Sequence, residues 1–113
     1  NKIAKYYLDN LNDQIVKPFI PKDYLSSWAQ FSILSDNSTQ REKIMGNLKK
    51  ANIPTMIYYR IPLHLQKVFK PLGYKKTNFP ISENISNRVF SIPMHPYLDN
   101  LHQDLIIEAI NDE

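Results

Sequence analysis

The side chains best suited to chemistry in this 113-residue chain gather at two proline-bounded turns. The first is Tyr58-Tyr59-Arg60-Ile61-Pro62-Leu63-His64. Two phenols, a guanidinium and an imidazole stand here at the end of a predicted strand, where α/β folds collect binding groups. The same residues also suit a plainer role, with Tyr58 and Tyr59 a half-buried pair and His64 opening a short helix. The second turn is Ser91-Ile92-Pro93-Met94-His95-Pro96-Tyr97-Leu98. Prolines on both sides of Met94-His95 stiffen it and hold His95 and Tyr97 in place, which fits architecture better than a site.

Other chemistries are poorly served. The glycines are Gly46 and Gly73 alone, so a glycine-rich phosphate loop is excluded. Cysteine is absent, which removes disulfides, thiol catalysis and cysteine-based zinc sites. His64, His95 and His102 lack metal-site spacing, and Ser26 and Ser27 lack the strand–turn–helix setting of a nucleophile elbow. No catalytic, cofactor-binding or metal-binding residue is therefore assigned from these patterns.

The elements that must position the two turns follow from periodicity. Ala4, Tyr7, Leu8, Leu11 and Ile15 form one helical stripe, predicted to end before Lys17-Pro18. Ser26 to Leu34 is predicted as a strand, with Ala29, Phe31 and Ile33 on one face. Thr39-Gln40-Arg41-Glu42 reads as a capping box opening a helix through Ile44, Leu48 and Ala51, closed by Asn52 in a left-handed conformation. Pro54 to Tyr59 is a second strand, and His64 to Phe69 a short helix. Ser82 is expected to cap a helix carrying Ile85 and Val89, before a last strand at Phe90-Ser91-Ile92. From Asp99, the stripe Leu101, Leu105, Ile106, Ala109 and Ile110 predicts a C-terminal helix. Strands separated by helices indicate an α/β (α+β) fold, a small mixed or antiparallel sheet covered by helices.

Several segments, in order, resemble the C-terminal part of the DegT-type sugar aminotransferases. They are SSWAQFSIL at 26–34, IPTMIYYRIPLHLQ at 53–66, LGY at 72–74 and NFPISENISNRVFSIPMHPYL at 78–98. Asn52 replaces the family's usual Gly, Arg60 stands where Pro is common, and Thr77-Asn78 replaces the usual Gly-Asp. The resemblance implies that residues 1–113 are the small C-terminal domain of a pyridoxal-phosphate-dependent fold-type-I aminotransferase. Such enzymes work as homodimers and pass an amino group from glutamate to a keto sugar carried on UDP or dTDP. The likeness is nearest to enzymes acting on a UDP-linked 3-keto N-acetylglucosaminuronic acid, in making surface polysaccharide, lipopolysaccharide or glycan precursors.

The resemblance also distributes roles. The Schiff-base lysine of the family lies in a large domain that nothing here matches, so no lysine from Lys2 to Lys76 is expected to be catalytic. The chain alone is expected to be an inactive piece of a longer protein, without bound cofactor. Tyr58, Tyr59 and His64 match positions lining the substrate side of the family's site, and Arg60 adds a charge that Pro lacks. His64 is expected to be partly exposed at a helix start, so that with Arg60 it meets a diphosphate or a sugar acid.

Composition sets the remaining bounds. With 42% hydrophobic and 22% charged residues the chain has a globular balance, and its apolar runs are too short to span a membrane. Neither membrane nor nucleic acid is expected as a partner, and a cytoplasmic location is expected. Residues 41–76 carry nine Lys or Arg against Glu42, so this section either faces an anionic ligand or is solvated surface. The basic pI near 9.1 and seven Tyr leave an alternative: a stand-alone basic, aromatic-rich binding module without catalysis.

Overall fold

The opening stripe folds as α1 (Lys2–Asn10), and the computed structural model describes residues 1–112. Ala4 and Tyr7 are buried on its inner face. The helix stops well short of Lys17, because Asn12 turns the chain: its side chain accepts from the Gln14 amide, and its own amide donates to Asn111. Leu11 and Ile15 still reach the core from this turn. Lys17 folds back to donate to the Leu8 and Leu11 carbonyls, placing a cation at the helix C-terminus.

The first strand is shorter than its pattern suggests. β1 is Phe31–Leu34, not Ser26–Leu34. Trp28 has φ of 52°, which no strand tolerates, and Ser26 Oγ accepts from its amide to hold the turn. The alternation itself holds, with Phe31 and Ile33 fully buried. Phe31 packs between Trp28 and Tyr7, at ring distances of 5.3 and 5.1 Å.

β2 (Val89–Ile92) pairs antiparallel with β1, from Phe31 opposite Ile92 to Leu34 opposite Val89. Single bridges extend this ladder on both sides, Val16 to Leu34 and Met56 to Ser91. β2 thus lies between β1 and the Met56 segment, and all four of its residues are buried. The strand predicted over 54–59 reduces to that one bridge; Pro54 has no N–H to give a ladder, and the chain turns away after Ile57.

α2 (Ser38–Lys50) has its cap two residues before the start of the predicted box. Asn37 caps it by accepting from the Gln40 amide, and Gln40 reaches back to the Asp36 amide. The reciprocal logic is that of a capping box, but Asn37 outcompetes Thr39 and frees Glu42 for arginine contacts. At the other end Asn52 is left-handed (φ 58°), with Ile53 and Asn52 amides donating to Leu48 and Lys49.

α3 (Pro80–Arg88) has Phe79 as its N-cap and Pro80 in the first turn, so Ser82 lies inside the helix and does not cap it. It runs directly into β2. α4 (Asn100–Asn111) starts where predicted, and Asp99 caps it by accepting from the His102 amide. Its buried face is Gln103, Ile106, Ile107 and Ile110, leaving Leu101 and Leu105 exposed, against the predicted stripe. Gln103 takes a core position because its amide donates to the Ile3 carbonyl of α1. Between Met56 and α3 the chain makes two 3₁₀ turns, Leu63–Leu65 and Lys67–Leu72, where one helix was predicted; left-handed Gly73 closes the second. The architecture is a small antiparallel sheet covered by helices.

Candidate functional site

The 58–66 turn leaves the Met56 bridge and runs alongside α3, and a cleft of about 370 Å³ opens between them. One wall is Tyr58, Tyr59, Ile61, Pro62 and His64; α3 supplies Ile85 and the two hydroxyls of Ser82 and Ser86. The lining is mainly apolar with a few polar groups, the usual make-up of a small-molecule site.

α3 is held from behind by buried Arg41 of α2, whose Nη1 donates to the Ser86 carbonyl at 2.8 Å. Ahead of it, one carboxylate secures the whole corner. Glu83 Oε1 accepts from His64 Nε2 at 2.9 Å and from the Thr77 amide at 2.8 Å, and Oε2 also faces Thr77, at 3.0 Å. The Phe79 amide adds a longer contact at 3.4 Å. These donors, the Thr77 amide foremost and then His64, hold the Glu83 carboxyl below the usual carboxylate range, against the opposing effect of burial. The His64 ring also packs on Phe79, with centroids 4.8 Å apart, and Phe79 meets Tyr74 edge-on at 5.1 Å.

Three of the four residues singled out in the sequence therefore meet at one cleft: Tyr58, Tyr59 and His64. The two tyrosines, joined by a cis peptide bond, present edge-to-face rings 5.8 Å apart and are exposed. Arg60 is not in the lining. It is exposed beside the cleft, 3.8 Å from Glu42. His64 is not partly exposed as expected: it is 9% exposed, paired to Glu83, and sits in a 3₁₀ turn of three residues too short to offer a helix N-terminus. Its Nε2 is thus unavailable to an anion. Of the basic section, Lys43, Lys49, Lys50, Lys67, Lys70, Lys75 and Lys76 are exposed and none lines the cleft, which favours solvated surface.

Glu83 was missed by reading residues singly. It ends the Phe-Pro-x-x-Glu segment already matched to the family, and that motif carried the signal. The second turn behaves as architecture: Tyr7 Oη donates to the Pro93 carbonyl at 3.0 Å, and His95 and Tyr97 are exposed. His102 has a carboxylate partner three residues before it, Asp99, at 2.6 Å. The His102 amide, and then its ring, keep Asp99 below the usual carboxylate range. Among the described residues no three His, Asp or Glu side chains group as a metal would need, and no helix is long and apolar enough to cross a membrane.

The chain is 34% identical over 109 residues to the UDP-2-acetamido-2-deoxy-3-oxo-D-glucuronate aminotransferase of Pseudomonas aeruginosa, covering 96% of this chain and 29% of that protein. It is 32% identical over 111 residues to the dTDP-3-amino-3,6-dideoxy-alpha-D-galactopyranose transaminase of Aneurinibacillus thermoaerophilus, covering 97% and 29%. The crystal structure of a DegT DnrJ EryC1 StrS aminotransferase from Brucella abortus superposes with a TM-score of 0.86 at 38% identity, over 99% of this chain and 30% of that one. The chain thus spans under a third of the length of the proteins it matches. These likenesses give no support to a stand-alone binding module. The model of the DegT/DnrJ/EryC1/StrS aminotransferase family matches residues 1–111, and the chain belongs to that family.

Proposed function

We propose that residues 1–113 are the C-terminal small domain of an aminotransferase that moves an amino group from glutamate to a keto sugar linked to UDP or dTDP. The products would be precursors of surface polysaccharide or glycan, made in the cytoplasm. The observation that carries this reading is convergence: the Tyr-Tyr-x-x-Pro-Leu-His and Phe-Pro-x-x-Glu segments, separated by 14 residues, line and brace one cleft. In it, the Tyr58 and Tyr59 hydroxyls bond the sugar or diphosphate, and exposed Arg60 attracts the anionic part from the rim.

The residues of this chain do not by themselves fit pyridoxal phosphate. Its aldehyde needs a lysine amine and its ring nitrogen a carboxylate; no lysine lines the cleft, and Glu83 is committed to Thr77, Phe79 and His64. On this reading the cofactor is held by the rest of the enzyme, and this domain positions the sugar nucleotide. Phe19, Tyr24 and Leu25 are all at least 75% exposed, an apolar segment suited to packing on that large domain or on the second subunit of a homodimer.

The test uses the full-length protein, loaded with cofactor and supplied with ¹⁵N-glutamate and a panel of UDP- and dTDP-linked 3-keto and 4-keto sugars. Appearance of a ¹⁵N-amino sugar nucleotide by mass spectrometry is expected, best from a UDP-linked 3-keto sugar. Transfer to simple 2-keto acids with none to any sugar nucleotide would refute it.

A further inference from the structure

His64 reaches the cleft with its tautomer already decided by its partner. Both Glu83 oxygens face the single backbone N–H of Thr77, and the Phe79 amide adds a second donor; such groups can only donate. A carboxylate so surrounded is an acceptor, and the Nε2 atom 2.9 Å from it must then carry the proton. In the neutral ring this leaves Nδ1 with a free lone pair. Nδ1 makes no hydrogen bond to the described residues, and no buried side-chain nitrogen or oxygen among them lacks a partner, so Nδ1 keeps access to solvent. His64 is itself part of the cleft lining.

We propose that Glu83 is a positioning residue that holds His64 as its Nε2–H tautomer, so that Nδ1 meets the occupant of the cleft as a hydrogen-bond acceptor. The group recognised is therefore a donor, a sugar hydroxyl or an amide N–H, and not a phosphate or carboxylate oxygen. Identifying that donor as part of a sugar nucleotide rests on the function proposed above; the tautomer does not. The two parts of a sugar nucleotide are divided between neighbours: Arg60 is the cation for the anionic portion, and His64 reads the hydroxyls or the N-acetyl group. The carboxylate does for the imidazole what second-layer carboxylates do for metal-bound histidines, fixing which nitrogen is offered.

The test is long-range ¹H–¹⁵N correlation on full-length protein labelled at histidine, with His64→Gln used to assign the His64 signals. A pyrrole-like Nε2 and a pyridine-like Nδ1 are expected at neutral pH. Glu83→Ala should lose this preference and show mixed tautomers, while Glu83→Gln, which keeps an acceptor oxygen, should restore most of it. Adding UDP-N-acetylglucosamine should move the Nδ1 signal as it accepts a hydrogen bond, without protonation; UDP alone should leave it in place. An Nδ1–H or doubly protonated ring in the wild type would overturn the proposal. So would an unchanged tautomer in Glu83→Ala, or an Nδ1 indifferent to bound UDP-N-acetylglucosamine. A protein that binds neither nucleotide yet keeps the Nε2–H tautomer, lost in Glu83→Ala and restored in Glu83→Gln, would support the assignment of His64 while sinking the sugar-nucleotide reading.

Discussion

Replacing Arg41 with Met should destabilise the chain by about 2 kcal/mol, through one hydrogen bond. The guanidinium is 7% exposed as part of its residue and donates to the Ser86 carbonyl at 2.8 Å, inside the junction of α2 and α3. A buried hydrogen bond to a charged donor contributes about 1.5–3 kcal/mol. The other Arg41 contact, to Glu42 at 3.1 Å, involves a carboxylate that is 57% exposed and adds about 0–1 kcal/mol. Methionine keeps most of the apolar stem, so the packing loss is small. Urea unfolding of wild type, Arg41→Met and Glu42→Gln separates the two contacts. For a domain of this size the Arg41→Met midpoint should fall by about 8 °C on heating, and Glu42→Gln by about 4 °C or less. If Glu42→Gln costs as much as Arg41→Met, the exposed ion pair is the working contact and the account of α3 as held from behind is wrong.

The carboxyl of Glu83 lies below its ordinary range, so its contribution is fully present above the unfolded value near pH ~4.3 and is lost as pH falls through the lower folded value. The stability gap between wild type and Glu83→Gln should therefore shrink below that point; a gap independent of pH from neutrality to strong acid would contradict this. At the end of α2, Asn52→Ala should cost about 1 kcal/mol and Asn52→Gly almost nothing, since only the former strains a left-handed residue. Equal losses in equilibrium unfolding would locate the effect in the asparagine side chain. Tyr7→Phe should cost about 1 kcal/mol by stripping the Pro93 carbonyl of its donor, while a neutral outcome would mean that water replaces the hydroxyl there.

How far the sequence reached depended on how local each signal was. The Asn52 cap, the helix start at Asp99 and the alternation of Phe31 and Ile33 were readable because each depends on a few neighbours. The start of β1 was not, because the positive φ of Trp28 is set by its packing on Phe31 and its bond to Asn1, partners that composition cannot reveal. α4 was rotated from its predicted face for a similar reason: Gln103 is drawn inward by a carbonyl one hundred residues away in the chain. At the cleft, Tyr58, Tyr59 and His64 were identified from their density at a turn. The Glu83 contact to His64 spans 19 residues, and the burial it imposes reversed the expected exposure of the imidazole. Arg60 stood out as a charge in place of a family Pro, but its side chain leaves the lining for the rim, near Glu42.

The most direct measurement is hydrogen exchange on the full-length protein, with and without UDP-N-acetylglucosamine at a saturating concentration. Ligand in the cleft should slow exchange of the backbone amides in residues 58–66 and 79–89, because these segments close on it from both sides. Residues 16–30 and α4 should be unchanged, since neither lines the cleft. Protection confined to segments outside 58–89, with the cleft amides exchanging as before, would contradict the assignment of this cleft as the sugar-nucleotide face.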